Sequence, residues 1–172
     1  MKTLVVYESL WGNTAAIAQA VAEGIGPGAR AMSTAEATNE LVEEADFLVA
    51  GAPVFAFHLS SDRARQDIAA HPDPGAPPPD LSHPSLRDWL DALTPGNVPC
   101  AAFDTEVRGP FGKGAPAIAE ALQEKGYQLV DEPQGFIVSG KHGPLRDGER
   151  ERAMQWGQHL RQRVEQPADK AR

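Results

Sequence analysis

Short apolar runs alternate with amphipathic stretches along most of the chain. The first run, Leu4 to Tyr7, is followed by a polar turn and then by a helical period in which Ile17, Val21 and Ile25 recur every four residues. Further apolar runs predict strands at residues 29–33, 46–51 and 98–104, and a broken last strand at 127–131 and 136–139. Helical patterns lie at residues 14–25, 39–45, 85–93, 115–125 and 147–164. This alternation predicts an α/β fold, a doubly wound five-stranded parallel sheet with helices on both faces.

A proline-rich segment interrupts this alternation. Seven prolines lie between Pro72 and Pro95, and five of them precede residue 80, so neither a strand nor a long helix can cross the segment. We predict a surface loop over about residues 71–84, preceded by one helical turn at 63–70. A lid, a docking surface and plain filler are all compatible with this composition.

Composition and charge narrow the class of protein. The 172 residues are 41% hydrophobic and 23% charged, which predicts one domain over residues 1–166 and a frayed tail at 167–172. The net charge of −8 argues against nucleic acid as a partner. A single cysteine, Cys100, excludes an internal disulfide framework. No apolar stretch approaches the ~20 residues of a membrane span, and the start of the chain lacks the pattern of a signal peptide, so we expect a cytoplasmic protein.

The turn after the first strand carries the clearest chemistry. It places two hydroxyls, Ser9 and Thr14, and the amide of Asn13 at the N-terminus of a helix. The first N–H groups of a helix have no intrahelical acceptor, and the peptide dipoles give that end a partial positive charge. The turn therefore suits an anionic oxygen, above all a phosphate. An ordinary strand–helix junction capped by Asn13 or Thr14 is the alternative.

This stretch resembles the signature of the flavodoxin family. That pattern runs apolar, apolar, aromatic, any, Ser or Thr, two variable positions, a small residue, any, Thr, then Ala four further on and an aliphatic residue three after that. The places are filled without mismatch by Val5, Val6, Tyr7, Glu8, Ser9, Leu10, Trp11, Gly12, Asn13, Thr14, Ala18 and Val21. The resemblance implies strand order 2-1-3-4-5 and non-covalent binding of flavin mononucleotide (FMN), with Ser9 to Thr14 around its phosphate. Trp11 stands where many members have Thr, and its indole N–H remains a donor.

A second loop follows the third strand. In sheets of this kind the ligand lies beyond the carboxyl ends of the strands, where the strand order reverses, so the loops after strands one, three and four should meet. Gly51, Ala52 and Pro53 resemble the family's Gly-x-Pro start, after which an aromatic residue lies beside the flavin ring. The resemblance implies cofactor contacts from Ala52, Pro53, Val54, Phe55, Ala56 and Phe57. We expect Phe55 or Phe57 on the inner face of the ring; the alternative is that both cover the edge of the core.

This loop also departs from the family. Many members have a glycine here whose peptide flips when the flavin takes up one electron, whereas residues 54–62 contain no glycine. The difference argues against a strict one-electron carrier.

The third loop, residues 104–114, should close over the ring edge. The resemblance implies cofactor contacts from Asp104, Thr105, Arg108 and Gly109. Arg108 has three possible partners, namely the carbonyl edge of the flavin, an anionic substrate and solvent. Short-chain members usually add a tyrosine that stacks on the outer face of the ring; none is present, and Phe111 is the candidate substitute. An uncovered outer face would suit a quinone, a nicotinamide or a partner protein, and equally weak flavin binding or none.

Two classes of function follow from the resemblance. The leading hypothesis is an FMN-binding, flavodoxin-like electron-transfer protein that carries electrons between a reductase and a partner protein or small acceptor, without catalytic side chains. An FMN-dependent NAD(P)H:quinone or protoporphyrinogen-type oxidoreductase is the alternative within this class. A flavin-free binding or regulatory module with the same fold is the alternative from another class. Trp11, the missing outer tyrosine and the absent loop glycine all favour it.

Overall fold

The computed structural model of the chain describes residues 1–55, 58–110 and 112–166. Its strands are β1 Thr3–Tyr7, β2 Ala29–Ser33, β3 Phe47–Phe55, β4 His58–Leu59, β5 Pro99–Val107, β6 Gln128–Leu129 and β7 Gln134–Val138. Its helices are α1 Asn13–Ile25, α2 Asn39–Glu43, α3 Asp62–Ala70, α4 Leu86–Ala92, α5 Ala115–Glu124 and α6 Glu149–Glu165. Three residues of the predicted loops and the predicted tail lie outside the described ranges: Ala56, Phe57, Phe111 and residues 167–172.

The strands form one sheet in the order β2-β1-β3-β5-β6, with parallel pairing throughout this path. The last strand is broken as predicted, because β6 and β7 both pair with β5, at Pro99 and from Phe103 onwards. The short strand β4 turns back antiparallel on β3. The doubly wound class and the strand order are therefore confirmed, while the predicted count of five strands becomes seven in the described ranges because of this break and this return.

Helices cover both faces of the sheet. Val5 belongs to the core cluster that β1 forms with α1 and α6, whereas Leu4 and Val6 belong to the cluster with α2, α4 and α5. This alternation follows from the two-residue period of a strand. Because both faces are buried, β1 and most of β3 are apolar at successive positions, which is why the sequence pattern reveals them.

The backbones of α1 and α6 are in direct contact at two glycines, without side chains between them. A Cβ atom on Gly24 would collide with the carbonyl oxygen of Met154, and one on Gly157 would collide with that of Val21. These two glycines therefore set the distance between the helices. The packing holds the N-terminal end of α1, and the loop before it, at a fixed place above the sheet.

Two strands run further than predicted. β3 continues to Phe55, because its parallel pairing with β5 extends to Pro53 and its antiparallel pairing with β4 covers Val54 and Phe55. β5 continues to Val107, because it pairs with β7 as far as Val138. Several residues predicted in loops are therefore strand residues, whose side chains point alternately to the two faces of the sheet. α3 is also longer than the single turn predicted, and the hydroxyl of Ser61 caps its N-terminus. No helix within the described ranges has the length and apolar character needed to cross a membrane.

Candidate functional site

A cavity of about 420 Å³ lies beyond the carboxyl ends of β1, β3, β5 and β7. α3 forms one wall of this cavity. The cavity volume is within the range of small-molecule sites, and the cavity lining is mainly apolar and aromatic with a few polar groups, as in most such sites. Nine residues that the sequence analysis assigned to the cofactor line it: Ser9, Leu10, Trp11, Asn13, Thr14, Pro53, Val54, Phe55 and Thr105.

Five other predicted site residues within the described ranges do not line this cavity. Ala52 is buried in the core between the sheet and α2, α4 and α5. Gly12 faces a neighbouring cleft on the other side of the loop. The Asp104 side chain is directed to the start of α5, while Arg108 and Gly109 are exposed beyond the end of β5. Ala56 and Phe57, also predicted, lie outside the described residues.

Six lining residues were missed by the sequence analysis: Ala64, Asp67, Ile68, Val107, Val138 and Lys141. The first three lie at helical spacing on one face of α3, a signal that the sequence does contain. Val107 and Val138 become neighbours only through the pairing of β5 with β7. Lys141 carries no local signal, because the loop after β7 reaches the cavity only in the folded chain.

The loop after β1 leaves several donors free at the start of α1. Gly12 has a φ of 90°, a left-handed conformation that favours glycine, and its N–H donates to Oγ of Ser9 over 3.1 Å. α1 has no side-chain cap, and the N–H groups of Asn13, Thr14 and Ala15 find no acceptor among the described residues. These groups are available to an anion bound at this end of the cavity.

Two threonines join the start of α1 to the end of β5. The hydroxyl oxygens of Thr14 and Thr105 lie 2.8 Å apart, and both residues are buried. One hydroxyl donates to the other, so a second hydroxyl proton remains for a further acceptor. Since both residues line the cavity, this proton belongs to the same polar end as the free N–H groups.

Trp11 forms part of the cavity wall. Its Nε1–H donates to the carbonyl oxygen of Pro77 over 3.0 Å, so the donor expected for the phosphate is already used. The centre of its ring lies 6.2 Å from that of Phe55, tilted by 53°, and 4.6 Å from that of His142, edge to face. Trp11 therefore contributes an aromatic surface here.

The proline-rich segment packs along the loop after β1. Besides the bond to Pro77, the N–H of Asp80 donates to the carbonyl oxygen of Leu10 over 2.8 Å. The N–H of Ser9 donates to Nε2 of the buried His83 over 3.0 Å. Three successive residues of the loop are thus bonded to a segment about 70 positions away. The segment supports the conformation of this loop.

A buried polar cluster lies beneath these contacts. The carboxylate of Glu8 is fully buried and accepts from the hydroxyl of Ser60 and from the N–H of Leu86, the latter over 2.9 Å. Nε of Arg65 lies 3.9 Å from it, and another nitrogen of that guanidinium donates to the carbonyl oxygen of His83. Burial raises the pKa of Glu8, whereas these hydrogen bonds and the Arg65 charge oppose the rise. The cluster joins β1, α3, α4 and the proline-rich segment.

Asp104 holds the start of α5. One of its carboxylate oxygens accepts from the N–H groups of Gly114 and Ala115, both over 2.8 Å. The other oxygen is buried without a partner among the described residues, as is one oxygen of Glu106 on the same side of the strand. Burial raises the pKa of Asp104 to about 7, the two N–H bonds oppose the rise, and Glu106 adds to it. Asp104 therefore titrates near neutral pH.

Only two ionisable side chains line the cavity within the described residues, Asp67 and Lys141. Nζ of Lys141 pairs with Asp73 in the proline-rich segment over 2.8 Å, and Nε2 of His142 lies 3.0 Å from the same oxygen. The ammonium of Lys141 is 5.9 Å from the centre of the Trp11 ring. A positive charge thus lies beside the polar end of the cavity.

The fold and this cavity define the class of the protein: a doubly wound α/β protein with a cavity at the carboxyl edge of a parallel sheet. Among solved structures, a flavodoxin from the domain Archaea aligns over 96% of this chain and 99% of its own, with a TM-score of 0.69 and 22% identity. Flavodoxin 1 from Bacillus cereus aligns over 91% and 95%, with a TM-score of 0.61 and 19% identity. The flavodiiron core of Flv1 from Synechocystis sp. PCC6803 aligns over 96% of this chain and 36% of its own, with a TM-score of 0.63 and 16% identity.

These similarities establish that the fold is flavodoxin-like. No protein-family model matches the sequence, and a search of curated proteins finds no match. The fold that the first loop predicts is therefore confirmed by structure, at a sequence identity of 16–22% for these three proteins.

Proposed function

We propose that this protein binds FMN non-covalently in the cavity and serves as an electron-transfer protein. The observation that carries the proposal is the juxtaposition of free donors at the start of α1 with an apolar and aromatic cavity at the switch point of the sheet. The likeness to solved flavodoxins supports it. Bound FMN would supply the redox chemistry, and the chain would bind and orient it.

The phosphate end of the site is the better defined one. The N–H groups of Asn13, Thr14 and Ala15 are free to donate to phosphate oxygens. The hydroxyl of Ser9 accepts from Gly12 and so keeps its own proton for donation. The free hydroxyl proton of the Thr14–Thr105 pair would complete the set. A helix N-terminus with this donor set fits a dianion without requiring a charged side chain.

The remainder of the cavity suits a flat, largely apolar ring. Pro53, Val54 and Phe55 form one side, and Ala64 and Ile68 of α3 face the same space. Phe55 lines the cavity and is our candidate for the inner face of the ring, while Phe57 remains a prediction outside the described residues. These apolar groups would exclude water from the ring and so help to set its potential.

We further propose that electrons pass between a reductase and a partner protein or small acceptor. Such carriage needs no acid or base from the chain, and the described lining offers only Asp67 and Lys141 as ionisable groups. The flavin-free alternative is less favoured, because a regulatory module would have no need of unpaired N–H groups beside an apolar cavity.

The test is titration of the flavin-free protein with FMN and with riboflavin, followed by flavin fluorescence. We expect one FMN per chain and weaker riboflavin binding, since riboflavin lacks the phosphate. Ser9→Ala and Thr14→Ala should each weaken FMN about tenfold and riboflavin far less. Thr94→Ala, which removes a hydroxyl remote from the cavity, is the matched control. Absence of flavin binding would overturn the proposal, and equal weakening of both flavins would overturn the placement of the phosphate.

Electron transfer is tested separately on the loaded protein. After anaerobic reduction, a carrier should pass electrons to a one-electron acceptor such as cytochrome c. Rapid turnover with NAD(P)H and a quinone, without any added reductase, would instead support the oxidoreductase alternative.

A further inference from the structure

The loop after β7 lies over the start of α1. Gly143 packs against the side-chain amide of Asn13, to the point that a Cβ there would lie 2.5 Å from Oδ1. The ring of His142 meets Trp11 edge to face at 4.6 Å. Lys141 lies beside these contacts and lines the cavity. The loop thus brings an ammonium group to the end of the cavity where the N–H groups of α1 are free.

The present partner of this ammonium is a single carboxylate. Nζ of Lys141 and Nε2 of His142 both reach Oδ2 of Asp73, at 2.8 and 3.0 Å, so the proline-rich segment and the loop after β7 are bridged across Trp11. The side chains of Lys141 and Asp73 are each 44% exposed. Ion pairs with that much solvent contact stabilise a protein only weakly, so this pair is easily exchanged.

We propose that Lys141 recognises the phosphate of the bound nucleotide, exchanging its pairing with Asp73 for the phosphate. The inference rests on the proposed function. A phosphate carries up to two negative charges and three acceptor oxygens, and therefore competes well against one carboxylate for the same ammonium. The four-carbon stem of lysine allows Nζ to move between the two partners. His142 remains beside Asp73, so the carboxylate keeps a hydrogen-bonding neighbour after the exchange.

If this exchange occurs, removing Lys141 and removing the Asp73 carboxylate should have opposite effects on FMN binding. Without Lys141 the phosphate loses an attractive charge, so FMN binding weakens. Without the Asp73 carboxylate the ammonium has no competing partner, so FMN binding tightens. Riboflavin has no phosphate, so its affinity should not change in either variant. A residue that merely held the loop in place would affect the two flavins alike, and removal of either partner would act in the same direction.

The experiment measures FMN and riboflavin dissociation constants for the full chain and for Lys141→Gln, Lys141→Arg and Asp73→Asn. Lys2→Gln is the matched control, because Lys2 also forms an exposed ion pair with one carboxylate, that of Glu44, and lies outside the lining of this cavity. We expect Lys141→Gln to weaken FMN about tenfold and riboflavin less than about twofold, and Asp73→Asn to tighten FMN about threefold, as for one charge-assisted hydrogen bond. Lys141→Arg should retain most of the FMN affinity, and Lys2→Gln should leave both constants unchanged.

Salt gives a second measurement. The FMN preference over riboflavin should fall as potassium chloride is raised, and it should fall less in Lys141→Gln. If the wild type binds FMN but Lys141→Gln weakens both flavins equally, the role of Lys141 is refuted and the proposed function stands. If the wild type binds neither flavin, both are refuted.

Discussion

The backbone N–H of Ser9 donates to Nε2 of His83 over 3.0 Å, and both residues are buried. An imidazole nitrogen that accepts a hydrogen bond carries no proton, so the ring proton is on Nδ1. Nδ1 lies 3.8 Å from a carboxylate oxygen of Asp80. The first loop of the site therefore depends on a histidine that stays neutral.

This dependence predicts a loss of stability in acid. Burial lowers the pKa of His83; Asp80 opposes this shift and Arg65 adds to it. Because the folded-state pKa lies below the unfolded one, the contribution of His83 to the free energy of unfolding is full above about pH 6.5 and is lost as the pH falls through the folded value. In His83→Gln the amide oxygen can accept the same N–H without titrating. We expect this variant to gain stability relative to the wild type when the pH is lowered from 8 to 5.

Urea unfolding at several pH values measures this difference. His58→Gln is the control, because His58 is exposed on β4. A constant difference between His83→Gln and the wild type across the pH range would show that the Ser9 bond does not depend on the charge of His83.

The raised pKa of Asp104 predicts that the free energy of unfolding depends on pH in the opposite direction. Burial is the main cause that raises the pKa of Asp104 to about 7. Between about pH 4 and pH 7 the folded chain therefore keeps a proton on Asp104 that the unfolded chain has lost. The associated stabilisation is full below the unfolded pKa of about 4 and is lost as the pH rises to about 7. In Asp104→Asn the side-chain oxygen can still accept from Gly114 and Ala115. We expect the free energy of unfolding of Asp104→Asn to rise relative to that of the wild type between pH 5 and pH 8, by up to about 3 kcal/mol.

Thermal or urea unfolding of both proteins at pH 5, 6, 7 and 8 provides the measurement. Glu132→Gln, at an exposed carboxylate, is the control. A variant that lost stability equally at every pH would mean that the Asp104 carboxyl is needed in its charged form to hold α5.

The bond from Trp11 to Pro77 predicts local loosening when it is removed. Trp11→Phe keeps an aromatic ring against Phe55 but has no Nε1–H, so the proline-rich segment loses one of its three bonds to the loop after β1. A neutral hydrogen bond contributes about 1 kcal/mol, which corresponds to a local opening about fivefold more frequent. Hydrogen exchange measured by mass spectrometry should therefore speed up in peptides that contain the Asp80 amide. Unchanged exchange in these peptides would show that the segment does not rely on the indole.

Replacing Gly157 by alanine should disturb the packing of α6 against α1. A Cβ at this position would meet the carbonyl oxygen of Val21, a backbone atom that cannot move aside. Gly157→Ala should therefore force α6 away from α1 and cost roughly 1–3 kcal/mol in the free energy of unfolding, even though alanine is the better helix former. Gly140→Ala is the control, since its Cβ would only reach ordinary contact with Gly143. A stable Gly157→Ala protein would mean that the two helices can separate without loss.

The elements of the fold could be predicted where burial dictates the pattern. β2 was predicted at its observed bounds, and α1 to within one residue, because apolar runs and helical periods mark a sheet covered on both faces. The end of β5 was missed because Thr105 and Glu106 continue the backbone pairing without continuing the apolar run. The end of β3 was missed because Gly51 and Pro53 resemble the start of the family's loop, although the backbone pairing continues through them. Pairing of this kind is set by the neighbouring strand and leaves no mark in the local sequence.

The candidate site likewise has a part that the local sequence predicts and a part that it does not. The residues from Ser9 to Thr14 carry a recognisable pattern, and all of them except Gly12 line the cavity. Lys141 and the bond between Trp11 and Pro77 could not be predicted, because each joins parts of the chain that are distant in sequence. The departure at Trp11 indicated a lost hydroxyl at that position, but not that the proline-rich segment would take up its indole.

The hydrogen bonds of the loop after β1 also set an order of events during synthesis on the ribosome. The groups that complete the loop come from Pro77 to His83 and from Lys141 to Gly143, so they are synthesised well after the loop itself. A nascent chain therefore carries the loop long before it can hold the loop's shape. Maturation of the site must therefore wait until translation has passed residue 143.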